Sequence, residues 1–136
     1  MVDATLGDRD ATEAAFARAA HVAEVRLVNQ RLVTNYIEPR AVVCEYDAKG
    51  DNWTLTLGSQ GSHRLRAVIG DTILKVGKEK LRVITPDVGG GFGTKLFPYR
   101  EYALAAVAAK RLDRPVKWAA DRADHFLGDS QGRDNF

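Results

Sequence analysis

At 136 residues, with 45% apolar and 28% charged side chains, the chain has the length and composition of one ordinary globular domain able to bury a core of its own. A net charge of +2 with no strongly basic half gives no nucleic-acid footprint, and a single cysteine, Cys44, excludes an internal disulfide framework and fits a cytoplasmic setting. The longest apolar run, Tyr102 to Ala109, is too short to span a bilayer, and the N-terminus has neither the basic nor the apolar stretch of a signal peptide.

In chain order, residues 1–9 are polar and expected to be loose. Ala11 to His21 reads as a short helix, with Asp10 as N-cap, Glu13 in capping-box position, and Phe16, Ala19 and Ala20 as its apolar stripe. Ala23 to Arg31 reads as a strand. Ala41 to Tyr46 and Trp53 to Leu57 are two more strands, joined by the turn cluster Asp47 to Asp51 into an antiparallel hairpin. In the second, Trp53, Leu55 and Leu57 point inward and Thr54 and Thr56 outward. Ser62 to Ile69 is a short helix and Leu81 to Thr85 a fourth strand. Tyr99 to Leu112 is a helix apolar almost all round, expected to be buried on more than one side and stopped by Asp113-Arg114-Pro115. Val116 to Ala120 is a fifth strand, and Asp121 to Phe136 is polar with no clear period. The fold class is α/β or α+β, a mixed sheet with an antiparallel hairpin and a strand–glycine loop–helix–strand unit. That unit predicts a crossover onto a parallel neighbour.

The site signal is Thr85-Pro86-Asp87-Val88-Gly89-Gly90-Gly91-Phe92-Gly93-Thr94-Lys95. Four glycines in five positions remove Cβ atoms where something comes close to the backbone. A helix opening after the loop would add free N–H groups that attract anionic or oxygen-bearing ligands. The spacing is wrong for a P-loop, because Lys95 follows Thr94 and precedes Leu96, and wrong for a dinucleotide fingerprint, which meets Thr94 or Leu96 where a small residue is needed. A glycine-rich bend that only lets a helix pack on a sheet is the plain alternative.

Other chemistry is sparse. His21, His63 and His125 are scattered without metal-ligand spacing, Cys44 lies in an apolar strand as a core residue, and Asp121 and Asp124 read as solvated surface. Two further segments have the character of ligand elements. Leu57-Gly58-Ser59-Gln60-Gly61 places an amide side chain at a strand end, where a plain turn is equally plausible. Gln131-Gly132-Arg133-Asp134 offers an arginine suited to clamping an oxyanion, against the reading of a solvated tail.

Together these segments resemble one family. The glycine run to Lys95, Arg114-Pro115-Val116-Lys117-Trp118 and Gln131-Gly132-Arg133-Asp134 look like the large, molybdopterin-binding subunit of the molybdenum hydroxylases, the xanthine dehydrogenase, aldehyde oxidase and aerobic carbon monoxide dehydrogenase group. Asn29-Gln30-Arg31-Leu32-Val33, Glu38-Pro39-Arg40-Ala41-Val42-Val43 and Ser59-Gln60 followed by His63 add to the likeness, particularly to the carbon monoxide dehydrogenase type. The resemblance runs from about the first helix to Phe136. It implies an oxidoreductase whose molybdopterin, in its cytosine dinucleotide form, carries the redox chemistry, with iron–sulfur clusters and FAD on partner subunits or domains. It implies that Gln60 donates toward an oxygen ligand of molybdenum, that the Gly91-Phe92-Gly93 backbone lies against the metal centre and pterin, and that Arg133 contacts the pterin or its pyrophosphate. No residue of this chain is assigned as catalytic or as a direct metal ligand.

Two departures shape the expectation. Xanthine dehydrogenases follow the glycine motif with a glutamate that reads the purine, and here stands Leu96, which points away from purines. The family's late glutamate base and the cysteine-bearing loop of true carbon monoxide dehydrogenases have no counterpart, and Cys44 is not that cysteine. Residues 1–136 are therefore expected to be a single domain that forms part of the molybdopterin-binding domain of a much longer subunit, without turnover alone and prone to self-association through unpartnered apolar faces. The alternative is a stand-alone nucleotide- or phosphate-binding scaffold domain without redox activity.

Overall fold

The computed structural model of the protein describes residues 4, 6–30 and 32–130. The Gln131-Gly132-Arg133-Asp134 segment, with Arg133, lies outside them. Four strands form one sheet in the order β3-β2-β1-β4. β1 (Ala41–Asp47) pairs antiparallel with β2 (Asn52–Leu57), in a register that sets Cys44 opposite Leu55 and Tyr46 opposite Trp53. The hairpin turn closes on Asp47, whose carboxylate accepts the N–H groups of Lys49 (3.0 Å) and Gly50 (3.2 Å).

The alternation in these two strands makes the core. Val42 and Cys44 of β1 and Trp53, Leu55 and Leu57 of β2 share one face and are all buried. Against them lies the helix Arg100–Leu112, which presents Tyr102, Ala105, Ala106 and Ala109; its small side chains let the helix backbone sit close to the sheet. The Trp53 indole N–H donates to the Ala106 carbonyl at 3.1 Å, so the largest core side chain has its one polar atom satisfied. This helix is buried on one side only, with Leu104 62% exposed and Val107 also outward, whereas its sequence predicted burial on more than one.

The crossovers differ from expectation too. The helix Ser62–Ala67, prolonged by a wider π turn over Val68–Ile73, links β2 to β3 (Leu81–Ile84), and these two strands are the parallel neighbours. The Arg100–Leu112 helix instead carries the chain from β3 across the sheet to β4 (Val116–Ala119), which pairs antiparallel with β1. β3 and β4 thus run in the same direction at opposite edges, not side by side, because β2 and β1 already occupy the space between.

Three further corrections fall at the ends. The first helix, α1, spans Arg9–Arg18, and its N-cap is Asp8, whose carboxylate accepts the Ala11 N–H at 2.9 Å; it buries none of its residues, and Phe16 is exposed. Ala23 to Arg31 forms no strand among the described residues. Apart from an isolated bridge at Asn29 its described residues carry no regular secondary structure and lie outside the four-stranded sheet, with Val25 and Leu27 exposed. Alternation fixes which side chains share a face, and no described strand presents a face to them. Last, Arg122–Gly128 is a helix, α4 by chain order after α2 (Ser62–Ala67) and α3 (Arg100–Leu112). Asp121 and Asp124 are its reciprocal capping box rather than idle surface charges. No described helix is long and apolar enough to cross a membrane.

Candidate functional site

The glycine loop leaves the end of β3 and turns through the left-handed region three times, at Gly90 (φ +93°), Phe92 (φ +48°) and Gly93 (φ +93°). A phenylalanine held there costs about 1 kcal/mol or more, and a strained residue persists where its surroundings over-determine it. Its ring is 69% exposed, so burial does not explain the position. The loop does not open directly into a long helix. A short 3₁₀ turn over Thr94–Leu96 intervenes, and α3 begins at Arg100, so the amides at the loop are the loop's own. The N–H groups of Gly90, Gly91 and Phe92 donate to no acceptor among the described residues.

Gln60 reaches into this loop from the end of β2. Its side-chain oxygen accepts the Gly93 N–H at 2.9 Å and the Lys95 N–H at 3.3 Å, and its backbone N–H donates to the Lys95 carbonyl at 3.2 Å. Two backbone donors can face only the oxygen of an amide, so this pattern fixes the orientation of the group. The –NH2 end has no partner among the described residues, and Gln60 is exposed. Gly91 makes the approach possible, since a Cβ there would lie 2.4 Å from the Gln60 side-chain oxygen.

Beneath the loop sits an ion pair that the sequence did not announce. The Lys95 ammonium is fully buried and bonds Glu38 Oε2 at 2.6 Å, with the centre of the Tyr36 ring 4.7 Å away. The same Glu38 oxygen accepts the Gly89 N–H at 2.8 Å, and the Glu38 N–H donates to the Gly89 carbonyl at 3.2 Å. Partial burial works against the Glu38 charge, but Lys95 and the Gly89 N–H outweigh it and hold the carboxyl below its usual range.

A second hub locks the segment that carries Glu38. Buried Asp129, just after α4, accepts from the Tyr36 hydroxyl, from Arg40 Nε at 2.5 Å and from His125 Nδ1 at 2.9 Å. Burial opposes its charge, yet these partners hold the Asp129 carboxyl low. Burial likewise raises the Tyr36 hydroxyl, and its bond to Asp129 raises it further. Arg40 also bonds Glu101 of α3 at 3.2 Å and stacks on the Tyr99 ring at 3.6 Å. Arg122 of α4 donates to the carbonyls of Tyr36 (2.7 Å) and Ile37 (2.6 Å). His125, one of the three histidines scattered along the sequence, is thus a buried member of this hub. Cys44 is a core residue as expected, its thiol pushed up to about 12 by burial, with Glu45 adding.

The structure therefore brings Gln60, Gly91, Phe92 and Gly93 together, while Arg133 lies outside the described residues. It adds Glu38, Lys95, Tyr36, Arg40 and Asp129. Lys95, Glu38 and Arg40 stand in motifs the sequence singles out, but their pairings, like those of Tyr36 and Asp129, join positions far apart in the chain and carry no local signal. Among the described residues no group of three or more His, Cys, Asp or Glu side chains is arranged to hold a metal ion.

The chain is 34% identical over 128 residues to the carbon monoxide dehydrogenase large chain of Hydrogenophaga pseudoflava, covering 94% of this chain and 16% of that protein. It is 32% identical over 133 residues to the nicotine 6-hydroxylase large subunit of Paenarthrobacter nicotinovorans, covering 98% and 16%. Its fold matches the reconstituted CO dehydrogenase from Oligotropha carboxidovorans with a TM-score of 0.73 at 35% identity, covering 94% and 16%. The chain thus spans about a sixth of the length of these relatives. The sequence model of the molybdopterin cofactor-binding domain matches residues 2–136, and the chain belongs to that family.

Proposed function

We propose that this chain forms one wall of the molybdopterin cradle in a molybdenum-dependent oxidoreductase, with Gln60 and the Gly91-Phe92-Gly93 backbone facing the metal centre. The observation that carries the reading is the lock on Gln60: its oxygen is taken by the Gly93 and Lys95 N–H groups, so its –NH2 can only donate outward. A neutral donor held in one direction suits an oxygen ligand of molybdenum. The N–H groups of Gly90, Gly91 and Phe92, which have no acceptor among the described residues, suit further oxygen atoms of the same group. These residues fit the cofactor as one side of a cradle, open to solvent at Gln60 and Phe92.

The redox chemistry is the cofactor's; what this chain supplies is placement and directed hydrogen bonds. By resemblance the pterin is the cytosine dinucleotide form, Arg133 contacts the pterin or its pyrophosphate, and electrons pass to iron–sulfur and FAD subunits of a cytoplasmic complex. Relatives named as a large chain and a large subunit support a multi-subunit setting. Leu96, half-buried beside Gln60's segment, favours aldehyde, heteroaromatic or carbon monoxide substrates over purines.

The test is Gln60→Ala in the complete subunit, with pterin measured by its fluorescent oxidation product and turnover measured separately. Turnover is expected to fall about 10²-fold, the scale for removing one fixed donor at a reacting oxygen, with pterin content kept. A native subunit that carries no pterin, or a Gln60→Ala variant with unchanged turnover, would sink the reading.

A further inference from the structure

We infer that the buried Lys95–Glu38 pair is the device that sets the position of Gln60, making both residues positioning residues for the amide that faces the cofactor. The inference rests on the proposed cradle for its consequence, but its geometry stands without it. Lys95 holds Gln60 from both sides with its backbone, through the N–H to the side-chain oxygen (3.3 Å) and the carbonyl to the Gln60 N–H (3.2 Å). Its side chain ends on Glu38 Oε2 at 2.6 Å. That oxygen also takes the Gly89 N–H at 2.8 Å, so one carboxylate atom ties the first glycine of the loop to the lysine that closes it.

The strand end that leads into Gln60 is fitted to the same pair. At Gly58 a Cβ would stand 3.1 Å from Glu38 Oε2 and 3.5 Å from Lys95 Nζ, tighter than ordinary contact with the carboxylate. Gly89 is built against Glu38 as well, since a Cβ there would come within 2.5 Å of the Glu38 Cβ. Two glycines from different elements are thus matched to Glu38.

A buried ammonium is a poor choice for stability, because an apolar side chain of similar volume often serves as well or better. What the ion pair offers is direction. A point charge with one carboxylate within reach has one place to go, and the Cα of Lys95 follows. The clasp on Gln60 is then a mechanical result of a charge buried beside Glu38.

The experiment is backbone hydrogen exchange by NMR on this chain and on Lys95→Met, which keeps an unbranched apolar stem and removes the charge. Exchange at the Gly93 and Lys95 amides, both donors to Gln60, is expected to rise about tenfold or more, while the amides paired between β1 and β2 keep their rates. If all amides speed up together, the pair contributes only to global stability and the inference is overturned. Unchanged rates at Gly93 and Lys95 overturn it equally. Should Lys95→Met fail to fold, Glu38→Gln removes the charge on the partly exposed partner and reads out at the same two amides. Because neither readout involves pterin, a clasped Gln60 in a subunit that binds no cofactor would end the cradle reading and leave this one standing.

Discussion

Replacing Asp129 with alanine is expected to lower the unfolding free energy by about 3–5 kcal/mol, the scale for stripping one partner from a buried ion pair. The loss leaves Arg40 buried without its closest carboxylate and the Tyr36 hydroxyl and His125 Nδ1 without an acceptor. Against a total of about 5–15 kcal/mol for a domain, such a change brings the chain close to unfolding at room temperature. Urea titration checks it, and a midpoint that barely moves would show the hub to be dispensable. The same carboxylate gives the pH dependence its sign. Its folded form titrates below the ordinary value, so it contributes stability above the unfolded-state range near pH 4. That contribution is lost as the pH falls through the folded value. Glu38 and Glu101, both also held low, act in the same direction, and Asp129→Ala removes the part of the acid sensitivity that Asp129 carries.

The second large effect is expected at Gly91. A Cβ at that position would lie 2.4 Å from the Gln60 side-chain oxygen and 2.8 Å from its amide carbon, so Gly91→Val evicts the whole amide rather than bending it. In the complete subunit, activity should fall by at least about 10²-fold, the scale of a misplaced group at a reacting centre. The sheet, whose core cluster includes no residue of the loop, should melt as before. A Gly91→Val subunit with native turnover would show that Gln60 is not where the chemistry needs it. Gly93→Ala acts by another route: open space surrounds its Cβ position, and only its φ of +93° opposes a side chain.

How much of this was legible in the sequence depended on the range of each cause. The hairpin was, because alternation at Trp53, Leu55 and Leu57 and the turn chemistry of Asp47 are settled within a few residues. The bounds of α3 were as well, since Asp113 and Pro115 stop it locally. Strand order was not: β3 and β4 look like two ends of one crossover, and only the prior pairing of β1 with β2 sends them to opposite edges. The polar stretch after β4 concealed α4 because its apolar stripe is thin and its burial comes from His125, a residue whose place inside depends on Asp129 and Tyr36. At the site, glycines advertise close approach, so Gly91 and Gln60 were legible. The charges under the loop were not, because Lys95 and Glu38 meet only in three dimensions.

Those distant meetings also bear on the order of events as the chain folds. Tyr36 and Asp129 are 93 positions apart, Glu38 and Lys95 are 57 apart, and Gln60 and Gly93 are 33 apart. Contacts that close such long loops bring their reward only after the intervening strands have paired. Asp129→Ala is therefore expected to speed unfolding while leaving refolding nearly unchanged, a partition that stopped-flow kinetics would read directly. A chain whose sheet assembles early and whose loop fastens late has, for part of its folding time, a formed scaffold with an unlatched wall, and that interval is when a bulky guest could be admitted.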